Sequence, residues 1–223
     1  MHGTDTGYSV IDSVFDRDEM AELAAHLFAS AAPRTRAGIR HLMCDTAIVN
    51  LSRDSRLIAL AGEYVGSAAM PFRATLFDKS PQSNWLIPWH QDTALPLTHR
   101  FEAAGWGPWS QKGGLHYAHA PAWALEQIVA LRIHLDPSEK DNGPLRIVPG
   151  SHRRGVLTDE QVGAAVQSNG FEECLVSCGG VIAMRPLAVH SSSKAAGARP
   201  RRVLHIEYAA SLDLAEGIRL AIA

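Results

Sequence analysis

The sequence predicts a mainly β fold with flanking helices, in which two packed sheets or a barrel are covered on one side. Two observations predict it. Helical spacing of apolar residues is confined to the N-terminal part, and from Pro71 onward the chain breaks into short runs rich in β-branched and aromatic residues, divided by Gly, Pro, Asn and Asp.

The helical part opens at DRDEMAELAAHLFAS. Asp16 and Glu19 have capping-box spacing, and Met20, Leu23, Ala24, Leu27 and Phe28 fall on one helical face. A second helix is expected around 53–66, where Leu57, Ile58, Ala61, Tyr64 and Val65 repeat the pattern, so the N-terminal helices occupy about 16–68. The strand-like runs are PFRATLFDK, LIPWHQD, QIVALRIHL, LRIVPGS, FEECLVS, GGVIAMRP and RRVLHIEYA, a β core over about 70–209. Between them, 98–123 is long, Gly-rich and aromatic, with Trp106, Trp109, His116, Tyr117 and His119. A connection of that length inside a compact domain serves as a lid or binding loop, so it is read as a lid-like insertion. No internal repeat or linker divides the chain, which is expected to be one domain over 1–223.

The bulk numbers narrow the function. With 223 residues, 46% hydrophobic and 20% charged, the chain can bury a large core without staples, so a metal would serve chemistry and not folding. Cys44, Cys174 and Cys178 form no CxxC pair, which fits a reducing cytoplasm. MHGTDTGYSVIDSVFDRDEM lacks the basic and apolar regions of a signal peptide, and no run of 18 apolar residues suits a membrane. A formal net charge of −2 without a basic stripe argues against nucleic acid; RPRR at 199–202 is the sole basic cluster. The expected partner is a small-molecule substrate.

Within PWHQDTALPL, His90 and Asp92 are two positions apart, so on a strand they share a face. Two such ligands make an incomplete metal site, and an isolated HxD recurs by chance. His190, at the end of the strand-like GGVIAMRPLAVH, is the best third ligand, with His205, His134, His116, His119 and His152 as competitors. Two imidazoles and a carboxylate are the set that non-haem Fe(II) oxygenases use on one face of the metal, leaving positions open for a cosubstrate and O2. Arg201 lies 11 residues after His190, where a fixed planar cation could hold a distal carboxylate. Alternation puts Arg201, Val203, His205 and Glu207 on one face and Arg202, Leu204 and Ile206 on the other, so Arg201 and Arg202 compete for that role.

WHQD, then NGPLRIVPGSH at 142–152, then His190 and Arg201, in that order, resemble the phytanoyl-CoA dioxygenase family of Fe(II)/2-oxoglutarate oxygenases, which includes ectoine hydroxylases and related halogenases. The resemblance covers roughly 70–209 and implies a double-stranded β-helix, a cupin-like jelly roll with iron at one mouth. It implies His90, Asp92 and His190 as iron ligands, Arg201 as the grip on the C5 carboxylate of 2-oxoglutarate, Lys79 as a cosubstrate contact, and Ser192 as the serine of an HxS pattern. Arg132 departs from the serine or tryptophan of relatives. It is expected either to hold a second carboxylate of 2-oxoglutarate or an acidic group of the substrate, or to be an exposed strand arginine.

The implied reaction is hydroxylation of a small polar metabolite with release of succinate and CO2, using Fe(II), 2-oxoglutarate and O2. Asp92 favours hydroxylation or another oxidation over halogenation, since halogenases keep this position small for chloride. The rival readings are a non-catalytic jelly-roll binding protein and a cupin-like metalloenzyme without 2-oxoglutarate. The substrate wall is expected from the face of Trp89 or Thr93 and from 98–123.

Overall fold

The computed structural model describes residues 5–29, 34–35, 38–80 and 83–223. Residues 1–4 of the stretch read for a signal peptide, and 30–33 and 36–37 within the helical part, lie outside them. The chain begins with β1 (Tyr8–Ile11), α1 (Arg17–Ala29), β2 (Arg34–Thr35), β3 (Gly38–Ile39), α2 (Thr46–Ser52) and α3 (Ser55–Val65). There follow β4 (Met70–Lys79), β5 (Ile87–His90), β6 (Ala94–Leu97), β7 (Trp109–Lys112), β8 (Leu115–His119), α4 (Ala122–Leu125) and β9 (Ile128–His134). The chain continues through β10 (Leu145–Ile147), α5 (Asp159–Asn169), β11 (Glu172–Cys174), β12 (Val181–Met184), β13 (His190–Ser192), β14 (Arg201–Ala209), β15 (Asp213–Ala215) and β16 (Ile218–Arg219).

The larger sheet runs β1-β12-β9-β14-β4-β3-β2 and the smaller β11-β10-β13-β5, all antiparallel. Successive core strands pass back and forth between the sheets: β4, β9, β12 and β14 belong to the larger, and β5, β10, β11 and β13 to the smaller. That winding is the double-stranded β-helix, and it closes one end of the space between the sheets with Ala130, Ile182 and Met184 packed on Leu145, Ile147 and Cys174.

Alternation decides what each face of the larger sheet does. Ala74 and Leu76 on β4, Leu131 and Ile133 on β9, and Leu204 and Ile206 on β14 point outward into a core with Met20, Ala24 and Leu27 of α1 and Leu57 and Ala61 of α3. The interleaved residues, among them Arg73, Lys79, Arg132, His134, Arg201 and His205, therefore face between the sheets. The larger sheet is thus apolar toward the helices and polar toward the jelly-roll interior. The Asp16–Glu19 capping box is present, with reciprocal hydrogen bonds of 2.8 and 2.9 Å.

The helix expected around 53–66 is α3, and a further helix, α2, precedes it, started by Asp45, whose carboxylate accepts from Ala47 and Ile48. Three sequence expectations are corrected. The run GGVIAMRPLAVH is not one strand: β12 ends at Met184, a turn closed by Ala188 N–H to Arg185 carbonyl follows, and His190 begins β13. The stretch 98–123 is not a plain loop, because β7 and β8 form a hairpin within it that pairs with β6. Trp89 turns from the expected substrate wall and packs on Phe171 and the Arg146 guanidinium.

Candidate functional site

β5 and β13 are paired so that His90 and His190 are register partners, which fixes their side chains as immediate neighbours. Their ring centroids are 4.3 Å apart. Asp92 lies just past the end of β5, where its backbone N–H donates to Pro186 carbonyl at 2.9 Å, and its two carboxylate oxygens face one histidine each. His90 Nε2 is 3.6 Å from Oδ1 and His190 Nε2 is 3.5 Å from Oδ2, separations that leave room between the groups. Donor atoms of His90, Asp92 and His190 all lie within 4.8 Å of one another, the one such group of possible metal ligands among the described residues.

The donor set fits a metal. His90 Nδ1 is 2.8 Å from Pro88 carbonyl and His190 Nδ1 is 2.9 Å from Ala188 carbonyl. A carbonyl can only accept, so each Nδ1 carries the proton and each Nε2 presents a lone pair toward Asp92. Burial pushes the His190 pKa down to about 4, so that ring is neutral near pH 7. Gln91, between the ligands, was missed by the sequence reading; its side chain donates to Gly155 and Leu187 carbonyls and accepts from Leu157 N–H, pinning the HxD backbone.

Behind this group is a cluster of buried cations. Lys79 and Arg201 are register partners across β4 and β14, 1% and 3% exposed, and both donate to Ser192 Oγ, at 2.7 and 3.0 Å. Ser192 passes its own proton to Gly143 carbonyl at 2.8 Å. Gly143 is required there: its φ is +71°, and a Cβ would lie 2.4 Å from Ser193 carbonyl. Arg132 is 5% exposed, so the exposed-arginine reading is wrong; its Nη1 donates to His205 Nδ1 at 3.1 Å while its Nε has no partner. Among the described residues no carboxylate pairs with Lys79, Arg132 or Arg201. Burial, then the neighbouring arginines, push Lys79 down to about 7, and burial with Arg132 pushes Arg201 down to about 9.

The rest of RPRR is accounted for elsewhere. Arg202 forks onto Asp136 on the outer side and covers Phe28, and Arg199 pairs with Asp141. The competing histidines also find other places: His152 beside Asp5, His119 on Thr93, and His134 and His205 on the inner face of the larger sheet. His205 Nδ1 accepts from Arg132, so its Nε2 donates to Glu207, which pairs with Arg73.

A cavity of about 240 Å³ opens beside Asp92, lined by Arg73, Thr75 and Phe77 of β4, by Thr93, and by Lys112, Tyr117 and His119 of the β7–β8 hairpin. Arg40, which is exposed, and His41 also line it. Of the lining residues, Thr93, Tyr117 and His119 are expected from the sequence, and Arg40, His41, Arg73, Thr75, Phe77 and Lys112 are not. Counting back by twos from Lys79 would have found Phe77, Thr75 and Arg73.

Fold and site together define a double-stranded β-helix carrying two histidines and one carboxylate placed so that they could hold a metal ion. The phytanoyl-CoA dioxygenase family model matches residues 4–203, and the chain belongs to that family. A curated relative is L-proline trans-4-hydroxylase of Streptomyces griseoviridis, 25% identical over 190 residues, covering 74% of this chain and 63% of that protein. The chain therefore spans less than two thirds of that relative's length. Among solved structures, EctD from S. alaskensis superposes with TM-score 0.69 both with bound Fe (18% identity, 92% of this chain, 73% of that one) and with 2-oxoglutarate and 5-hydroxyectoine (21%, 92% and 72%). The non-heme alpha ketoglutarate dependent epimerase SnoN from nogalamycin biosynthesis gives 0.65 at 17% identity, covering 92% of this chain and 78% of that one.

Proposed function

We propose that the protein is an Fe(II)/2-oxoglutarate-dependent dioxygenase that hydroxylates a small polar metabolite. The observation that carries this is the placement of three buried cations without carboxylate partners, Lys79, Arg132 and Arg201, in the same jelly-roll interior as a histidine–aspartate–histidine centre. Buried charges persist when something pairs with them, and a dicarboxylate that also reaches the metal would do so.

In this reading His90, Asp92 and His190 hold Fe(II), and Arg201 with Lys79 grips the distal carboxylate of 2-oxoglutarate. Ser192 holds both cations in place from β13 of the facing sheet. Arg132 balances charge from the neighbouring strand, with His205 as its acceptor. Iron with 2-oxoglutarate and O2 supplies an oxidant able to insert oxygen into an unactivated C–H bond, releasing succinate and CO2. The protein's contribution is orientation and exclusion of water: Gln91 fixes the ligand loop, and the β7–β8 hairpin acts as a lid-like wall over the cavity. A carboxylate at Asp92 fills the position a halide would need, which favours hydroxylation. The named activities of the proline hydroxylase and of EctD, solved with 5-hydroxyectoine, point the same way. No helix among the described residues is long and apolar enough to cross a membrane, and all three cysteines are free, which suits a reducing cytoplasm where ferrous iron persists.

Anaerobic addition of Fe(II) and 2-oxoglutarate is expected to give a visible metal-to-ligand charge-transfer band. Metal-replete protein that gives none would be a binding protein or a metalloenzyme that uses no 2-oxoglutarate.

A further inference from the structure

The cavity beside Asp92 carries more positive charge than the protein balances. Arg40, His41, Arg73 and Lys112 converge on it from three separate parts of the chain: the turn after β3, β4, and the β7–β8 hairpin. Arg73 is neutralised by Glu207 and tied to Ala94 carbonyl at 2.8 Å. Arg40 and Lys112 have no carboxylate partner among the described residues. Asp92 offers no compensation once it serves a metal.

His41 and Lys112 are also held in place, while Arg40 is exposed at the cavity. His41 has a left-handed backbone, φ 60°, a conformation uncommon for a residue with a side chain. Its ring lies against the hairpin turn so closely that a Cβ on Gly113 would be 3.0 Å from Nε2. The Lys112 ammonium lies 4.9 Å from the centre of the Tyr117 ring, on the same hairpin. Burial and the nearby Arg40 and Arg73 push Lys112 below the ordinary lysine value, and burial with Arg40, Arg73 and Lys112 lowers His41. Like charges gathered around a cavity repel unless an anion joins them.

We propose that Arg40 and Lys112 bind an oxyanion of the substrate, so that the metabolite oxidised here is a small acid whose reacting carbon is directed from that anchor toward Asp92. This deepens the dioxygenase reading and rests on it for the location of the reaction. The anion is not the cosubstrate's, because Arg201, Lys79 and Arg132 do not line this cavity; Phe77 and His205 stand between, with Arg132 behind them. A volume of about 240 Å³ suits a compact metabolite, below the roughly 300–1,000 Å³ of drug-sized sites.

The test is calorimetric titration of the full chain loaded with Zn(II) and 2-oxoglutarate, in which no turnover occurs. The probes are matched pairs: small amino and hydroxy acids against their primary amides, and sugar phosphates against the parent sugars. In at least one pair the anion is expected to bind about tenfold or more tightly than its neutral partner, the scale of a charge-assisted hydrogen bond. The carboxylate and phosphate arms identify which oxyanion is preferred. Arg40→Gln and Lys112→Gln should each weaken the anion by about tenfold and leave the neutral partner and 2-oxoglutarate unaffected. Equal binding within every pair, no binding by any anion, or variants that bind the anion like the unmodified protein would each overturn the proposal. Failure of the dioxygenase reading shows separately, as absence of the Fe(II)–2-oxoglutarate band, while anion binding can still be titrated on metal-free protein.

Discussion

His90 and His190 face each other across β5 and β13, and in each the Nδ1 proton goes to the backbone carbonyl two residues earlier, Pro88 and Ala188. The same local device therefore turns both Nε2 lone pairs toward Asp92. His90→Ala and His190→Ala are expected to lower metal affinity by more than the roughly 10–100-fold typical of an outer-shell partner. Metal content after gel filtration reads this. Unchanged content in either variant would remove that histidine from the ligand set.

Arg201 and Arg202 are neighbours in sequence with opposite surroundings: Arg201 meets Ser192 and Lys79 inside, while Arg202 meets Asp136 and Phe28 outside. Arg201→Gln should weaken 2-oxoglutarate by about 10–100-fold, the worth of hydrogen bonds to a charged group, while metal content stays intact. Arg202→Gln should leave cosubstrate affinity alone and cost at most about 1 kcal/mol of stability, since its ion pair is partly exposed. The larger cosubstrate effect at Arg202 would invert the assignment.

Lys79 makes cosubstrate binding depend on pH. Its pKa near 7 in the ligand-free protein results from burial first and then from Arg201, Arg132 and Arg146. A bound dicarboxylate favours the charged form, so above pH 7 binding takes up a proton, and affinity falls as pH rises, approaching tenfold per unit. The unfolded chain keeps its lysine protonated up to the ordinary value near 10.4, so the ligand-free fold gains stability across that same window. Calorimetry at pH 8 in buffers of different ionisation enthalpy should register proton uptake that Lys79→Met abolishes. No uptake in the unmodified protein would mean that Lys79 does not face the carboxylate.

Much of the core was legible because the physics was local. RRVLHIEYA reads as β14 because alternation on a strand is a two-residue pattern, and HxD lies on or just beyond β5, a strand recognisable by composition. His190 was found although its strand was misjudged, since β13 is three residues long and too short to leave a periodic signal. The β7 strand, WSQK, is mostly polar and exposed, so nothing in it marked a hairpin. Arg40 and His41 could not be read at all. Their place in the site depends on a left-handed backbone at His41 and on a hairpin some seventy residues away, both products of tertiary packing.

His134 gives the remaining prediction. It is fully buried on the inner face of β9, two residues from Arg132, and neither ring nitrogen has a hydrogen bond of proper geometry; Asp136 backbone offers a weak contact only. Burial, with Arg201 and Arg132 nearby, holds its pKa well below the ordinary value, so the ring stays neutral. A buried polar group left unpaired costs about 1–3 kcal/mol, which His134→Leu removes at similar volume. The ligand-free variant should therefore be more stable, by about 1 kcal/mol, with a higher urea midpoint. The cost is tolerated if the ring meets bound cosubstrate, in which case 2-oxoglutarate should raise the variant's midpoint less than that of the unmodified protein. A lower midpoint without ligand would show that His134 is already satisfied in the fold and has no part in the cosubstrate pocket.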